Sequence, residues 1–129
     1  MKRLATVLAV LGGLFIIYIG VIFLVNPVES AAAFGVTSWP THDGTAFLAV
    51  KAVRDIASGL VIFALLFTGH RRALGWALLA LAFVPSGDMV IVLNDGGSIA
   101  MALGVHGLTA LAVVANAVLL LRERTSKEN

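Results

Sequence analysis

Lys51, Arg54, Asp55 and Ser58 stand inside an otherwise apolar run of this 129-residue chain. Their spacing, i, i+3, i+4 and i+7, projects all four from one face of a helix. A charge at the centre of a bilayer costs about 2.5–3.5 kcal/mol on insertion scales. Three on one apolar helix therefore require partners inside the protein. Asp88 and His106, each in another apolar stretch, and the single tyrosine, Tyr18, are the groups able to supply them. An Asp–His pair can act as general base and acid, and a neighbouring cation can hold a developing oxyanion in a low-dielectric site. The catalytic candidates are accordingly Asp55, His106, Arg54 and Asp88. Lys51, Tyr18 and Ser58 are the ligand-binding candidates.

The elements that must position these residues are apolar helices. The chain is 60% hydrophobic and 12% charged, with a mean hydropathy of +1.01. Soluble domains carry about 25% charged residues, so the composition is that of a membrane protein. Four stretches, 4–25, 45–67, 73–93 and 98–121, are each near the roughly 20 residues that cross a hydrocarbon core. The expected fold is all-α, a single-domain integral membrane up-down four-helix bundle over residues 1–129. The connections 69–72 and 94–97 are too short for anything but antiparallel neighbours, and only 26–44 has room for structure of its own. Lys2 and Arg3, Arg71 and Arg72, and Arg122, Arg124 and Lys127 fall on one side, while Glu29, Asp43 and Asp95 fall on the other. That asymmetry places both termini in the cytoplasm, with the chain in the plasma (inner) membrane. The first stretch is longer than a signal-peptide core, and Pro27 and Glu29 precede the small residues at 31–33, so it is expected to be retained.

Antiparallel helices joined by short turns allow depth to be reckoned from residue numbers. Reflected through the 69–72 turn, Arg54 lies level with about residue 87, within one residue of Asp88; reflected through 94–97, His106 lies level with Pro85 and so with residue 56, one step from Asp55. At 1.5 Å per residue these groups share a layer about 8–17 Å from the outer helix ends, and Tyr18 falls at the same depth. The expected pairing is Arg54 with Asp88 and Asp55 between Lys51 and His106, which balances the charge. Pro85-Ser86-Gly87 before Asp88 should kink the third helix. Ala100, Gly104 and Gly107 give the fourth a small surface. Together they allow a cavity beside the polar layer. Asn116, deeper and on another face, suits an interhelical hydrogen bond, and Trp39 and Trp76 suit the membrane interfaces.

Other chemistries find little support. There is no cysteine, which removes thiol–disulfide chemistry and Cys-ligated metal sites. Asp55, Asp88 and His106 beside Lys51 and Arg54 make a poor cation site, so neither a metal nor another cofactor is expected. The net charge of +2 is a matter of topology, with no nucleic-acid footprint.

The pattern Pro27-(x)6-Phe34-Gly35, Lys51-x-x-Arg54-Asp55-x-x-x-Gly59, Pro85-x-x-Asp88 and His106-Gly107 resembles a family of small bacterial and fungal four-span membrane proteins. That family is catalogued as a domain of unknown function and is loosely similar to the DoxX-like proteins. The resemblance covers about residues 5–121; it implies the four-helix fold and points to the same polar residues, without an activity. Three functions remain open. The chain could bind or convert a lipophilic small molecule from the bilayer by acid–base chemistry of isomerase, epoxide-opening or cyclase type. It could be a small proton-coupled transporter, which requires a homo-oligomer to enclose a path. It could be a non-catalytic membrane subunit whose polar layer fixes assembly.

Overall fold

The computed structural model describes residues 1–40 and 42–123. Arg124 and Lys127, counted above toward orientation, lie outside the described residues. Helix α1 (Lys2–Val25) runs to Asn26, where the following Pro27 disfavours a continued helical backbone. Pro27 instead opens a short helix, α2 (Pro27–Phe34). Gly35 closes α2 in the left-handed conformation at φ 104°, a backbone that glycine adopts without strain. After a 3-10 turn at His42–Gly44, helix α3 spans Thr45–Phe67. The next segment is divided: α4 is Arg71–Leu81 and α5 is Phe83–Asn94, with the interruption at Ala82. The last is also irregular, with α6 (Ile99–Met101), a π-turn at Ala102–Gly107 and α7 (Leu108–Leu121). The described residues are thus all-helical. Three spans, Lys2–Val25, Arg71–Asn94 and Ile99–Leu121, are long and apolar enough to cross a membrane. Helix α3 has a similar length of 23 residues and carries Lys51, Arg54 and Asp55.

The 45–67 expectation matches α3 in full. The other three differ in instructive ways. The first and third helices begin at Lys2 and Arg71, two residues earlier than hydropathy suggests, because a basic side chain costs nothing at a helix end. The third is broken, as Pro85 requires: its missing N–H leaves the Leu81 carbonyl without its ladder partner. The break accordingly falls a turn before the proline. Beside the break the Ala82 carbonyl accepts twice from Ser86, from its N–H at 3.3 Å and from its Oγ at 2.8 Å.

Packing rests on small residues. Gly13 faces Ile62 and Phe63, and Gly20 faces Ala52 and Ile56, so α1 and α3 run antiparallel with their backbones close. Small residues are the means by which apolar helices gain dispersion contact where no hydrophobic drive separates them from lipid. On the other side Gly75 of α4 faces Ala117 and Leu121 of α7. One core cluster joins Ala5, Ala9, Ile62, Leu74, Leu78, Ala117 and Leu120 near the chain ends. A second joins Phe23, Ala31, Leu48 and Ala52 at the opposite end.

Two polar devices lock the end that carries Lys2 and Glu123. Arg71 binds Glu123 through Nε (2.6 Å) and a terminal nitrogen (2.7 Å), and also donates to Thr6 Oγ1 (3.0 Å) and the Lys2 carbonyl (3.2 Å). This bidentate fork ties the starts of α1 and α4 to the end of α7. It also holds the Glu123 carboxyl below the usual carboxylate range. Asn116 suits the expected interhelical bond: with its amide turned to match its neighbours, Nδ2 donates to Ala5 O at 3.1 Å and Oδ1 accepts from Ala9 N–H at 3.0 Å.

A Cβ at Gly20 would lie 2.6 Å from the Ile56 side chain and 2.7 Å from the Ala52 carbonyl, whereas one at Gly12 meets nothing within 4 Å. Gly20→Val should therefore destabilise the protein by about 1–3 kcal/mol through overpacking, and Gly12→Ala should not. Thermal unfolding in detergent measures both; equal midpoints would refute the close α1–α3 contact.

Candidate functional site

Helix α3 presents its charged face at the height where α5 departs from it. α4 packs against α3, but α5 finds its main neighbours in the π-turn and α7. The space this leaves beside α3 is a partly open cavity of about 790 Å³. Lys51, Arg54, Asp55 and Ser58 line it from α3, and Gly87 and Asp88 line it from α5. The remaining wall is apolar and aromatic, with Phe23 from α1, Phe34 from α2 and Trp39 from the following loop. Phe47 and Phe83 stand at its rim and are 73% and 80% exposed, so the approach to the cavity is apolar.

Lys51 and Asp55 answer one another. Lys51 Nζ lies 2.6 Å from Asp55 Oδ2, an i,i+4 contact within α3. Asp55 is only 6% exposed, and Lys51 is its one ion-pair partner among the described residues. The ammonium also lies 4.3 Å from the centroid of the Phe23 ring and 5.3 Å from that of Phe34, within the range where an aromatic face attracts a cation. Phe23 and Phe34 meet edge to face at 6.4 Å, which fixes that aromatic corner.

His106 supports the corner from behind. Its Nε2 lies 2.9 Å from the Phe34 carbonyl, and its ring rests on the Phe34 ring at 4.6 Å. A carbonyl only accepts, so Nε2 carries the hydrogen. The bond satisfies a carbonyl at the end of α2 that has no helical partner. His106 reaches it from the π-turn, where the Leu108 N–H bonds back to Leu103 O. Such a turn adds a residue to the helix and re-aims those that follow. Gly107 lets this segment approach Met89 of α5, with a notional Cβ 3.2 Å from its sulfur.

The structure brings together Lys51, Arg54, Asp55, Ser58 and Asp88 around one cavity. The anticipated partners are not the ones formed. Asp55 pairs with Lys51 and not with His106. Among the described residues Arg54 and Asp88 make no ion pair with each other, because α5 is displaced from α3. Ser58 donates to the Arg54 carbonyl at 2.8 Å. Tyr18 is 61% exposed and lies outside the cavity lining; matching depth says nothing about which face a residue occupies. Among the described residues no group of His, Cys, Asp or Glu is arranged to hold a metal.

Sequence reasoning missed the aromatic corner and the strap that covers it. Phe34-Gly35 stood in the motif that carried the resemblance, and Pro27 and Gly35 signal α2 as an N1 proline and a C-cap glycine. The strap, residues 35–40, is fastened to the end of α5. Thr37 donates its backbone N–H to Asp95 Oδ2, and its hydroxyl lies 2.9 Å from Asp95 O and 2.8 Å from Asp95 Oδ2. These bonds, the backbone one foremost, hold the Asp95 carboxyl below its usual range.

The fold and cavity define an all-helical membrane protein with charged side chains on the wall of a partly open cavity. The chain belongs to the family described as Domain of unknown function (DUF4267), whose model matches residues 13–120. The match names that family and carries no DoxX-like relation. No curated protein and no solved structure matches the chain.

Two outcomes are expected. Lys51→Met strands the buried Asp55 carboxylate and should cost about 3–5 kcal/mol, while the double variant Lys51→Met/Asp55→Leu should recover most of it. A double variant no more stable than the single one would deny the pairing. Asp95 has a depressed folded pKa, so its tether is complete above the ordinary value of about 3.9 and is lost as pH falls through the lower folded value. The Thr37 amide proton, followed by NMR, should shift with a midpoint below about 3.9; a midpoint at or above that value would show that the bond does not form.

Proposed function

We propose that the protein is an integral membrane protein that takes a lipophilic small molecule from the bilayer into the cavity between α3 and α5. In this reading the four long helical segments cross the membrane up and down, forming a four-helix bundle. Both termini face the cytoplasm, and the membrane is the plasma (inner) membrane. What supports the orientation is that Lys2, Arg71 and the end of α7 gather at one end, where the Lys and Arg bias of the loops also falls.

The observation that carries the reading is the cavity itself. A volume of about 790 Å³ lies within the range typical of small-molecule sites, which are largely apolar with a few convergent polar groups. Here the apolar surface comes from Phe23, Phe34, Trp39 and Ile91, and the polar groups from Lys51, Arg54, Asp55 and Asp88. Charges in hydrocarbon are expensive enough that their collection around a space favours a functional use. An acid–base step on a bound molecule would pass through Asp88, the cavity carboxylate held in no ion pair among the described residues, and not through an Asp55–His106 dyad.

The two tryptophans provide the test. Trp39 lines the cavity, and Trp76 is 59% exposed on α4. In nanodiscs, a chain-brominated single-chain amphiphile should quench Trp39 saturably in Trp76→Phe protein. It should quench Trp76 only in proportion to its mole fraction in Trp39→Phe protein. Gly87 lines the cavity, and a Cβ there meets nothing within 4 Å, so Gly87→Leu should fill the space without disturbing the fold. It should weaken the saturable phase at least about tenfold, a loss of roughly 1.4 kcal/mol in binding. Identical, non-saturating quenching of the two tryptophans would defeat the reading.

A further inference from the structure

The four charges on the cavity wall are not equivalent. Lys51 and Asp55 form a closed unit, an ion pair at 2.6 Å with the ammonium against two phenylalanine rings. Its charges are already answered and its geometry is fixed from three helices. Arg54 and Asp88 differ. Each lines the cavity, they stand on separate helices, and among the described residues neither side chain has a hydrogen-bond or ion-pair partner. The cavity thus holds one open cation on the α3 wall and one open anion on the α5 wall, with no net charge between them.

We propose that the site selects amphiphiles whose headgroup carries both an anionic oxygen group and a primary ammonium, with net charge zero. This deepens the lipophilic-ligand reading above and rests on it. The guanidinium of Arg54 offers a planar set of donors that matches a phosphate or carboxylate bidentately. The Asp88 carboxylate accepts hydrogen bonds from an ammonium. A headgroup with both satisfies both walls. An anionic amphiphile answers Arg54 and leaves Asp88 facing added negative charge; a cationic amphiphile does the reverse. In a space walled by phenylalanine and lipid-facing apolar side chains, such an uncompensated charge is poorly screened. The aromatic wall of Phe23, Phe34 and Trp39 and the exposed Phe47 and Phe83 at the rim receive the beginning of the acyl chain. The rest of the chain runs out through the open side.

Saturable quenching of Trp39 in Trp76→Phe protein measures the preference directly, with three chain-brominated probes of equal length. They are a lysophosphatidylethanolamine, a fatty acid and a primary alkylamine. The zwitterion should bind at least tenfold more tightly than either singly charged probe. Arg54→Gln should move the preference to the alkylamine, and Asp88→Asn should move it to the fatty acid. Arg54→Lys and Asp88→Glu, which keep the charges, should keep the original order and show that any reordering is electrostatic. The same order of affinities in all five proteins would overturn the headgroup assignment while leaving a lipophilic site in place. Absence of saturable quenching by every probe in the Trp76→Phe protein would overturn the site itself.

Discussion

A helix that contains Pro85 cannot complete its hydrogen-bond ladder, and the organisation of the site follows from where that ladder breaks. α4 lies along α3; beyond Ala82, α5 turns its packing surface to the π-turn and α7. An unbroken helix would have continued beside α3 and covered its charged face with apolar side chains. Burying unpaired charge in that way would be prohibitive. The break avoids the conflict by leaving a space where the charges fall. The π-turn at Ala102–Gly107 complements it, because Gly107 admits Met89 and so gives α5 its alternative seat. Two irregularities in neighbouring helices thus cooperate to hold one cavity open.

The cost of charge in such a place is met in two ways. Lys51 and Asp55 meet it internally, through a short ion pair backed by Phe23 and Phe34. That corner is kept rigid by His106, which acts on Phe34 and not on the cavity. Arg54 and Asp88 have no ion-pair partner among the described residues, and this division separates a paired set of charges from an open one. The strap at residues 35–40 adds a roof, pinned by Thr37 to Asp95. At the far end Arg71 and Glu123 clamp three helices, which leaves the cavity end as the place where the chain departs most from close packing.

Much of this was legible in the sequence, for physical reasons that also mark where legibility stops. Helix α3 was bounded correctly because Gly44, Gly69 and a continuous periodic face delimit it. The grouping of Lys51, Arg54, Asp55 and Ser58 followed from their helical spacing, and Asp88 joined them by counting residues through a short turn, since depth in an antiparallel pair is fixed by the rise per residue. Azimuth is not fixed in that way. His106 has the depth of the polar layer, yet the π-turn re-aims it toward the Phe34 carbonyl. Tyr18 shares the depth and faces outward. The Arg54–Asp88 pair was a reasonable expectation for straight helices and failed for a broken one. Arg71 carried a topology signal that concealed its second role, because a bidentate clamp depends on three chain segments that no local pattern joins.

The most direct measurement is to map where a bilayer-borne amphiphile touches the chain. A single-chain zwitterionic amphiphile with a diazirine near the headgroup would be incorporated in vesicles holding the full protein, photolysed and located by peptide mass spectrometry. An occupied cavity requires labels concentrated at its lining, on Ala57, Ser58, Gly87 and Ile91, and suppressed by excess unlabelled amphiphile. Labels spread evenly over outward residues such as Leu11, Leu14 and Leu111, unchanged by the competitor, would contradict it.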